Sequence, residues 1–151
     1  MTGSIDGLGN LPGKPGALAA AYARYWRGLP KREGVPLKRA LDPGAMRQFV
    51  ANFVIVERHG ARHFTWRLAG SRVREIYGIE LTGTDALAVR NPAQREKAID
   101  AYNAQLDTPC GAWGITVLRT AGGNLVPTEV LALPLRADDG TLRFLGNTVE
   151  P

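Results

Sequence analysis

Cysteine, histidine and serine are scarce in this chain of 151 residues. One cysteine, Cys110, excludes an intrachain disulfide framework and fits a reducing compartment. Two histidines, His59 and His63, flank a predicted hairpin with few carboxylates nearby, so no metal site is expected. Serine occurs only at Ser4 and Ser71, the first in a Gly/Pro-rich leader and the second at a predicted helix cap. Neither suits a Ser-His nucleophile, and no catalytic role is expected. Long apolar runs are also missing. The longest, Ala17 to Ala23, falls far short of the ~20 residues that a membrane-spanning helix needs. The start, MTGSIDGLGNLPGKPG, has no basic stretch followed by an apolar one and does not read as a signal peptide. A cytoplasmic protein is expected. No Lys/Arg run exceeds two residues, and neither a recognition helix nor a stacking motif stands out, so nucleic acid is not an expected partner.

What is present is ordinary globular material, 44% hydrophobic and 22% charged, in a length of about one domain. The net charge of +5 is unevenly placed. Residues 1–75 hold 13 basic and 5 acidic side chains (+8), and residues 76–151 hold 6 and 9 (−3). The plain reading is a set of solvated faces. An anionic partner is the alternative.

Residues 1–16 read as a flexible leader and 17–151 as one domain. Residues 17–29 form the first predicted helix, with Leu18, Tyr22, Tyr25 and Leu29 on one face and Trp26 widening it. Pro30 stops it, and PKREGVPLKRAL reads as a polar connector. Asp42-Pro43 predicts a second helix through Met46 to about Val50. Residues 53–57 read as a strand, RHGAR as a turn, and His63 to Ala69 as the return strand, with Phe64, Trp66 and Leu68 alternating against Thr65, Arg67 and Ala69. Ser71 reads as the cap of a short helix carrying Val73, Ile76 and Tyr77, with Gly78 as its stop. A turn at Gly83, a short helical piece and a helix from Asn91-Pro92 follow, the last with Ile99, Tyr102 and Leu106 on its buried side. Three strands close the chain: one with Trp113, Ile115 and Val117 alternating, one from Val126 to Leu135, and one from Leu142 to Val149, joined by turns at 121–124 and at Asp138-Asp139-Gly140. The expected fold is α+β, a five-stranded antiparallel sheet with helices on one face and an extra N-terminal helix.

That order of elements resembles a PAS domain. The sequence is also similar to a compact bacterial PAS family known as PAS_5. The resemblance rests on Tyr25-Trp26 with Leu29, on Leu41-Asp42-Pro43, on Phe64-Thr65-Trp66-Arg67-Leu68-Ala69-Gly70-Ser71, and on Tyr77-Gly78-Ile79-Glu80-Leu81-Thr82-Gly83. It covers about residues 18 to 148. It implies a stand-alone sensor or interaction module that binds a small apolar or amphipathic ligand and relays occupancy to an unknown signalling protein, with a homodimer expected. A dimerising adaptor with a filled core is the alternative. A flavin-cysteine photosensor resembles Asn-Cys-Arg-Phe on a middle helix, whereas Cys110 sits in Pro109-Cys110-Gly111 after the last helix, so no such cofactor is expected.

The candidate ligand lining is Trp66, Tyr77, Trp113 and Val117, against the reading that these side chains simply fill the core. Arg67 is the polar candidate, either as the receiver of an anionic group through its guanidinium fork or in an ion pair with Glu75, Glu57 or Glu129. Tyr22, Tyr25, Trp26 and Leu29 are the candidate interface, unless the first helix folds back on the sheet of its own domain.

Overall fold

Phe53, Val54, Ile55 and Val56 are consecutive, apolar and all buried. Successive strand residues point to opposite faces, so such a run needs cover on both faces of its sheet. The computed structural model describes residues 16–78, 80–88, 92–108, 111–139 and 142–149, and it shows both covers. The elements are α1 (Ala17–Gly28), β1 (Lys31–Arg32), β2 (Val35–Pro36), β3 (Phe53–Gly60), β4 (His63–Ala69), α2 (Ser71–Tyr77), α3 (Pro92–Asp107), β5 (Ala112–Arg119), β6 (Leu125–Arg136) and β7 (Leu142–Val149). Strands β3 to β7 form an antiparallel sheet in the order β4-β3-β7-β6-β5, and β1 and β2 form a separate small hairpin.

Residue parity sorts the core into two layers. Val54 and Val56 of β3, Phe64 and Trp66 of β4 and Ala132 of β6 face α2, the 81–87 segment and α3; this is the inner layer. Phe53 and Ile55 of β3, Trp113 of β5, and Leu131, Leu133 and Leu135 of β6 face α1 with Met46 and Phe49; this is the outer layer. The expectation of helices on one face is therefore corrected, because α1 covers the opposite face. Its buried stripe is Ala19, Tyr22, Ala23 and Trp26, the i, i+3, i+4, i+7 spacing of one helical face. The small Ala19 and Ala23 let the helix approach the sheet, and that rotates Tyr25 to a half-buried edge.

Two connections differ from expectation. The polar connector contains the β1–β2 hairpin, whose two turn residues, Glu33 and Gly34, both have positive φ (53° and 79°). That is the twist-matched two-residue turn, and it buries Val35. No continuous helix follows Asp42-Pro43. Asp42 Oδ1 does accept a hydrogen bond from Gly44 N at 3.0 Å, but the chain then makes turns and a short 3₁₀ helix at Val50–Asn52. Gly44 weakens a helix there, and only Met46 and Phe49 of this stretch are buried, too few to stabilise a longer one.

Strand β3 runs on through Arg58, His59 and Gly60, so the turn is only Ala61-Arg62. Between Ile55↔Leu68 and Val56↔Trp66 the register shifts, which leaves Arg67 as a bulge residue. Beyond the bulge Leu68 turns outward and is 43% exposed, while Ala69 packs on the inner layer; the predicted alternation breaks here. Helix α2 is capped by Gly70 rather than Ser71 and makes no side-chain cap bond. Gly70 N donates to Phe53 O at 2.7 Å, and a Cβ at Gly70 would lie 2.4 Å from the carbonyl oxygens of both Val50 and Ala51. Gly78 ends α2 with φ 77°, as expected. In place of the expected short helical piece, residues 84–88 form turns and a bridge to β4. The 83–86 segment lies along the edge of β4, where Ala86 N donates to Phe64 O at 2.9 Å, and thereby satisfies groups an edge strand would leave open. The leader expectation (except Gly16), the Asn91 cap, Cys110 and Gly140 lie outside the described residues.

Gly70→Ala is expected to lower unfolding free energy by about 2 kcal/mol or more, because backbone on both sides must move. Gly60→Ala meets nothing within 4 Å and is expected to change it by less than about 0.5 kcal/mol. Urea denaturation of the two variants checks this; equal effects would contradict the packing at Gly70.

Candidate functional site

The inner layer is built by α2, the 81–87 segment and α3 laid over β3, β4 and β6. β4 contributes Phe64 and Trp66 because its period of two sends both the same way. Helix α2, seven residues between Gly70 and Gly78, places Tyr77 against Trp66 with ring centroids 6.0 Å apart and planes at 52°. Phe64 meets Tyr102 of α3 at 5.1 Å. Over the β4 edge the chain is strapped by three backbone hydrogen bonds: Trp66 N to Thr84 O (3.0 Å), Gly83 N to Trp66 O (2.7 Å) and Ala86 N to Phe64 O (2.9 Å). Gly83 takes φ 84°, and Thr84 Oγ1 donates to Leu81 O at 2.6 Å, which shapes the strap. Two buried polar atoms, Trp66 Nε1 of this layer and Gln105 Oε1 of α3, have no hydrogen-bond partner among the described residues.

Charge lies at the rim. Arg58, inward on β3, donates to Asp107 Oδ1 at 2.9 Å and to Asn103 Oδ1 at 3.0 Å, and Asn103 Nδ2 donates to Ala61 O at 2.7 Å. These groups border a solvent-open groove lined by Arg58, His59, Gly60, Ala61, Asn103 and Asp107. Arg62 forks onto the Glu96 carboxylate and holds it below its ordinary value of 4.5, chiefly through those hydrogen bonds. Arg74 does the same for Glu80, helped by Thr82 N. His59 and His63 stand with rings 5.0 Å apart, and His59 Nε2 meets Thr65 Oγ1 at 2.7 Å. Among the described residues no three His, Cys, Asp or Glu side chains group as a metal site.

The structure divides the expected lining. Trp66 and Tyr77 share the inner layer. Trp113 does not; it pairs in register with Leu131 and faces α1. Its phase followed from the β5–β6 register, which alternation within β5 alone does not fix. The Val117 side chain lies outside the described residues, although its backbone pairs with Pro127. Arg67 is exposed on the bulge, outside the inner layer, and no carboxylate among the described residues pairs with it.

Of the expected interface, Tyr22, Trp26 and Leu29 are buried in the chain's own core, at 0%, 1% and 9% exposure. The helix folds back because its aromatic groups find the apolar outer face. Tyr22 packs edge-on to Phe53 at 5.0 Å, and burial pushes its phenol up. Trp26 Nε1 donates to Pro134 O at 3.0 Å. Tyr25 is half-buried, and its hydroxyl accepts from Asp42 N at 3.0 Å. The sequence reading missed Gln105, which continues the Ala98–Tyr102 spacing of the buried face. It placed Glu129 only as a possible partner of Arg67. Glu129 is instead 8% exposed, and its Oε2 accepts from Gly16 N at 2.9 Å and Trp113 Nε1 at 3.3 Å. Helix α1 has no acidic residue in its first turn and no side-chain cap, so this carboxylate from β6 serves its N-terminus.

A PAS domain family model matches residues 16–149, and the chain belongs to that family. No curated protein matches it. Among solved structures it is similar to a light-oxygen-voltage domain studied with a flavin analogue (17% identity, TM-score 0.58, covering 72% of this chain and 82% of that one). It is also similar to a PAS domain from Colwellia psychrerythraea (14% identity, TM-score 0.55, 73% and 98%). The light-state structure of the Aureochrome1 blue-light photoreceptor domain is a third (14%, 0.55, 71% and 86%). At these identities the likeness is one of fold. The chain's one cysteine, Cys110, lies outside the described residues.

Glu96 has a depressed folded pKa, so its ion pair contributes stability above the ordinary carboxylate value of 4.5 and loses it as pH falls through the lower folded value. The melting-temperature gap between wild type and Arg62→Ala is expected to be widest above that value and to close below it. A gap that stays constant across a pH series would contradict the pairing.

Proposed function

We propose that this chain is a sensor that binds a small apolar or amphipathic molecule in the inner layer, between β3–β4 and the elements α2, the 81–88 strap and α3. The observation that carries this reading is the composition of that layer. It is apolar, its β4 edge is covered by a short strap held through three backbone hydrogen bonds, and its charged pairs stand at the rim. Short roofing elements open at low free-energy cost, and a ligand that prefers one arrangement shifts their population. PAS domains are sensing and interaction modules, which supports the same reading. The relay runs through protein–protein contact with an unidentified signalling partner, with the chain as a homodimer, and involves no catalysis.

A second reading is a dimerising adaptor whose core is filled. The Trp66–Tyr77 and Phe64–Tyr102 ring contacts favour it, since aromatic pairs of this kind also serve as packing. Helix α1 cannot offer Tyr22 or Trp26 to a second chain without leaving its own sheet, so Trp26→Asp tests folding rather than dimerisation.

Native mass spectrometry of the protein as purified separates the two readings. The sensor reading expects a non-covalent adduct that disappears under denaturing conditions and is lost in Trp66→Ala, while Val50→Ala, at an exposed position, retains it. A bare dimer that stays bare after incubation with small apolar compounds would favour the adaptor.

A further inference from the structure

Arginines on the two sides of this fold are balanced differently. On the inner side Arg58 pairs with Asp107, Arg62 with Glu96, Arg72 with Glu75 and Arg74 with Glu80. The segment that follows the middle of α1 on the outer side is another matter. Residues 24–39 hold six basic side chains, Arg24, Arg27, Lys31, Arg32, Lys38 and Arg39, and one carboxylate, Glu33. That is a balance of +5, equal to the net charge of the whole chain. All six are exposed, and Glu33 is itself drawn to a further cation, Arg136 of β6, at 3.6 Å.

The fold gathers these charges. Arg24 and Arg27 are three residues apart on α1, which makes them neighbours on its surface. Lys31 reaches back over the Trp26 ring, 4.9 Å from its centroid, and its Nζ donates to Arg27 O at 2.6 Å and Leu29 O at 3.0 Å. Lys31 pairs across the hairpin with Pro36, a Cα separation of about 5 Å. Two residues of chain then span at most about 7 Å, so the Lys38 Cα lies within about 12 Å of that of Lys31. The hairpin is held in place by its Glu33-Gly34 turn, by the burial of Val35 and by the bridge from Leu37 to Arg136. A fixed cluster of like charges at this spacing sums to a positive field, because each lies within one or two screening lengths of the next.

The chemistry around the cluster narrows the occupant. The exposed large apolar side chains among the described residues are Val50, Leu68 and Leu125, so residues 24–39 offer none to insert into a bilayer. Tyr22 and Trp26 are buried and Tyr25 is half-buried, which leaves α1 no exposed ring on which a base could stack. Four of the six cations are arginine, whose planar fork matches a carboxylate through two parallel hydrogen bonds. We propose that the end of α1 and the β1–β2 hairpin form a docking surface for an acidic, Glu/Asp-rich segment of a partner protein. The inference rests on the protein-contact relay given above and adds the partner's chemistry.

The test measures binding of the full chain at about 150 mM salt, where screening confines each charge to about 8 Å. The probes are an octaglutamate peptide, an octathymidylate of similar charge, and phosphatidylcholine vesicles with about 30% phosphatidylserine. The protein is wild type, Arg32→Glu with Arg39→Glu, Arg32→Lys with Arg39→Lys, and a control of equal charge change on α3, Arg95→Glu with Lys97→Glu. Lys31 is left in place because it caps α1, and circular dichroism verifies each fold. Wild type is expected to prefer the peptide to both other probes. The hairpin reversal is expected to weaken peptide binding at least about tenfold, the charge-preserving lysine pair about threefold, and the α3 control less than about twofold. Tighter binding of the oligonucleotide or the vesicles overturns the proposal, as does an equal loss in the α3 control, full affinity in the lysine pair, or no peptide binding at all. A failure of the inner-layer sensor reading is told apart from these, because a bare native mass spectrum leaves peptide binding unchanged.

Discussion

A sheet in which β3 buries Phe53, Val54, Ile55 and Val56 in succession needs cover on both faces, and the rest of the chain is arranged around that constraint. One face receives α1, the other receives α2, the strap and α3. The outer contact is specified by polar as well as apolar groups. Trp26 is anchored at Pro134 O, and the first backbone amide of the α1 cap is anchored at Glu129, which also engages Trp113. Burying Tyr22 and Trp26 removes large apolar areas from water, on the order of 150–250 Å² for each ring system. That burial fixes α1 where bare helix propensity in a 12-residue segment would not.

The two layers differ in how they are finished. The outer layer satisfies its indoles and carboxylate with one another and with backbone. Elsewhere Trp66 Nε1 of the inner layer and the buried Gln105 Oε1 of α3 have no partner among the described residues. Packing alone does not require polar atoms at those positions; phenylalanine and leucine would fill similar volume without the cost of unpaired groups. The asymmetry distinguishes the two faces. It also places the sheet as the shared wall between them, since β3 and β6 contribute alternate residues to both layers.

Much of the fold was legible in the sequence because the signals were local. The alternation of Phe64 and Trp66 and the αL stop at Gly78 each follow from short-range geometry, and so does the last strand, Leu142–Val149. What escaped was set by long-range relations. The face taken by Trp113 depends on the β5–β6 register. The exposure of Arg67 and Leu68 depends on a bulge with no glycine to mark it. The aromatic stripe of α1 reads equally as interface or core until the outer face of the sheet is known to be apolar. The role of Gly70 comes from the approach of Val50 and Ala51, some twenty residues earlier, and not from any turn signal. Trp66 and Tyr77 do pack together, whereas the burial of Gln105 was hidden because it is a polar residue on a helix whose buried side was identified by its apolar members.

The indole N–H resonances of Trp26, Trp66 and Trp113 report on the two layers separately, so a two-dimensional ¹⁵N–¹H spectrum recorded through a titration with a small apolar compound such as naphthalene tests the account most directly. The account predicts that the Trp66 resonance shifts, while those of Trp26 and Trp113, bonded to Pro134 and Glu129, hold their positions. A Trp66 resonance that stays fixed while that of Trp113 or Trp26 shifts would contradict the assignment of recognition to the inner layer.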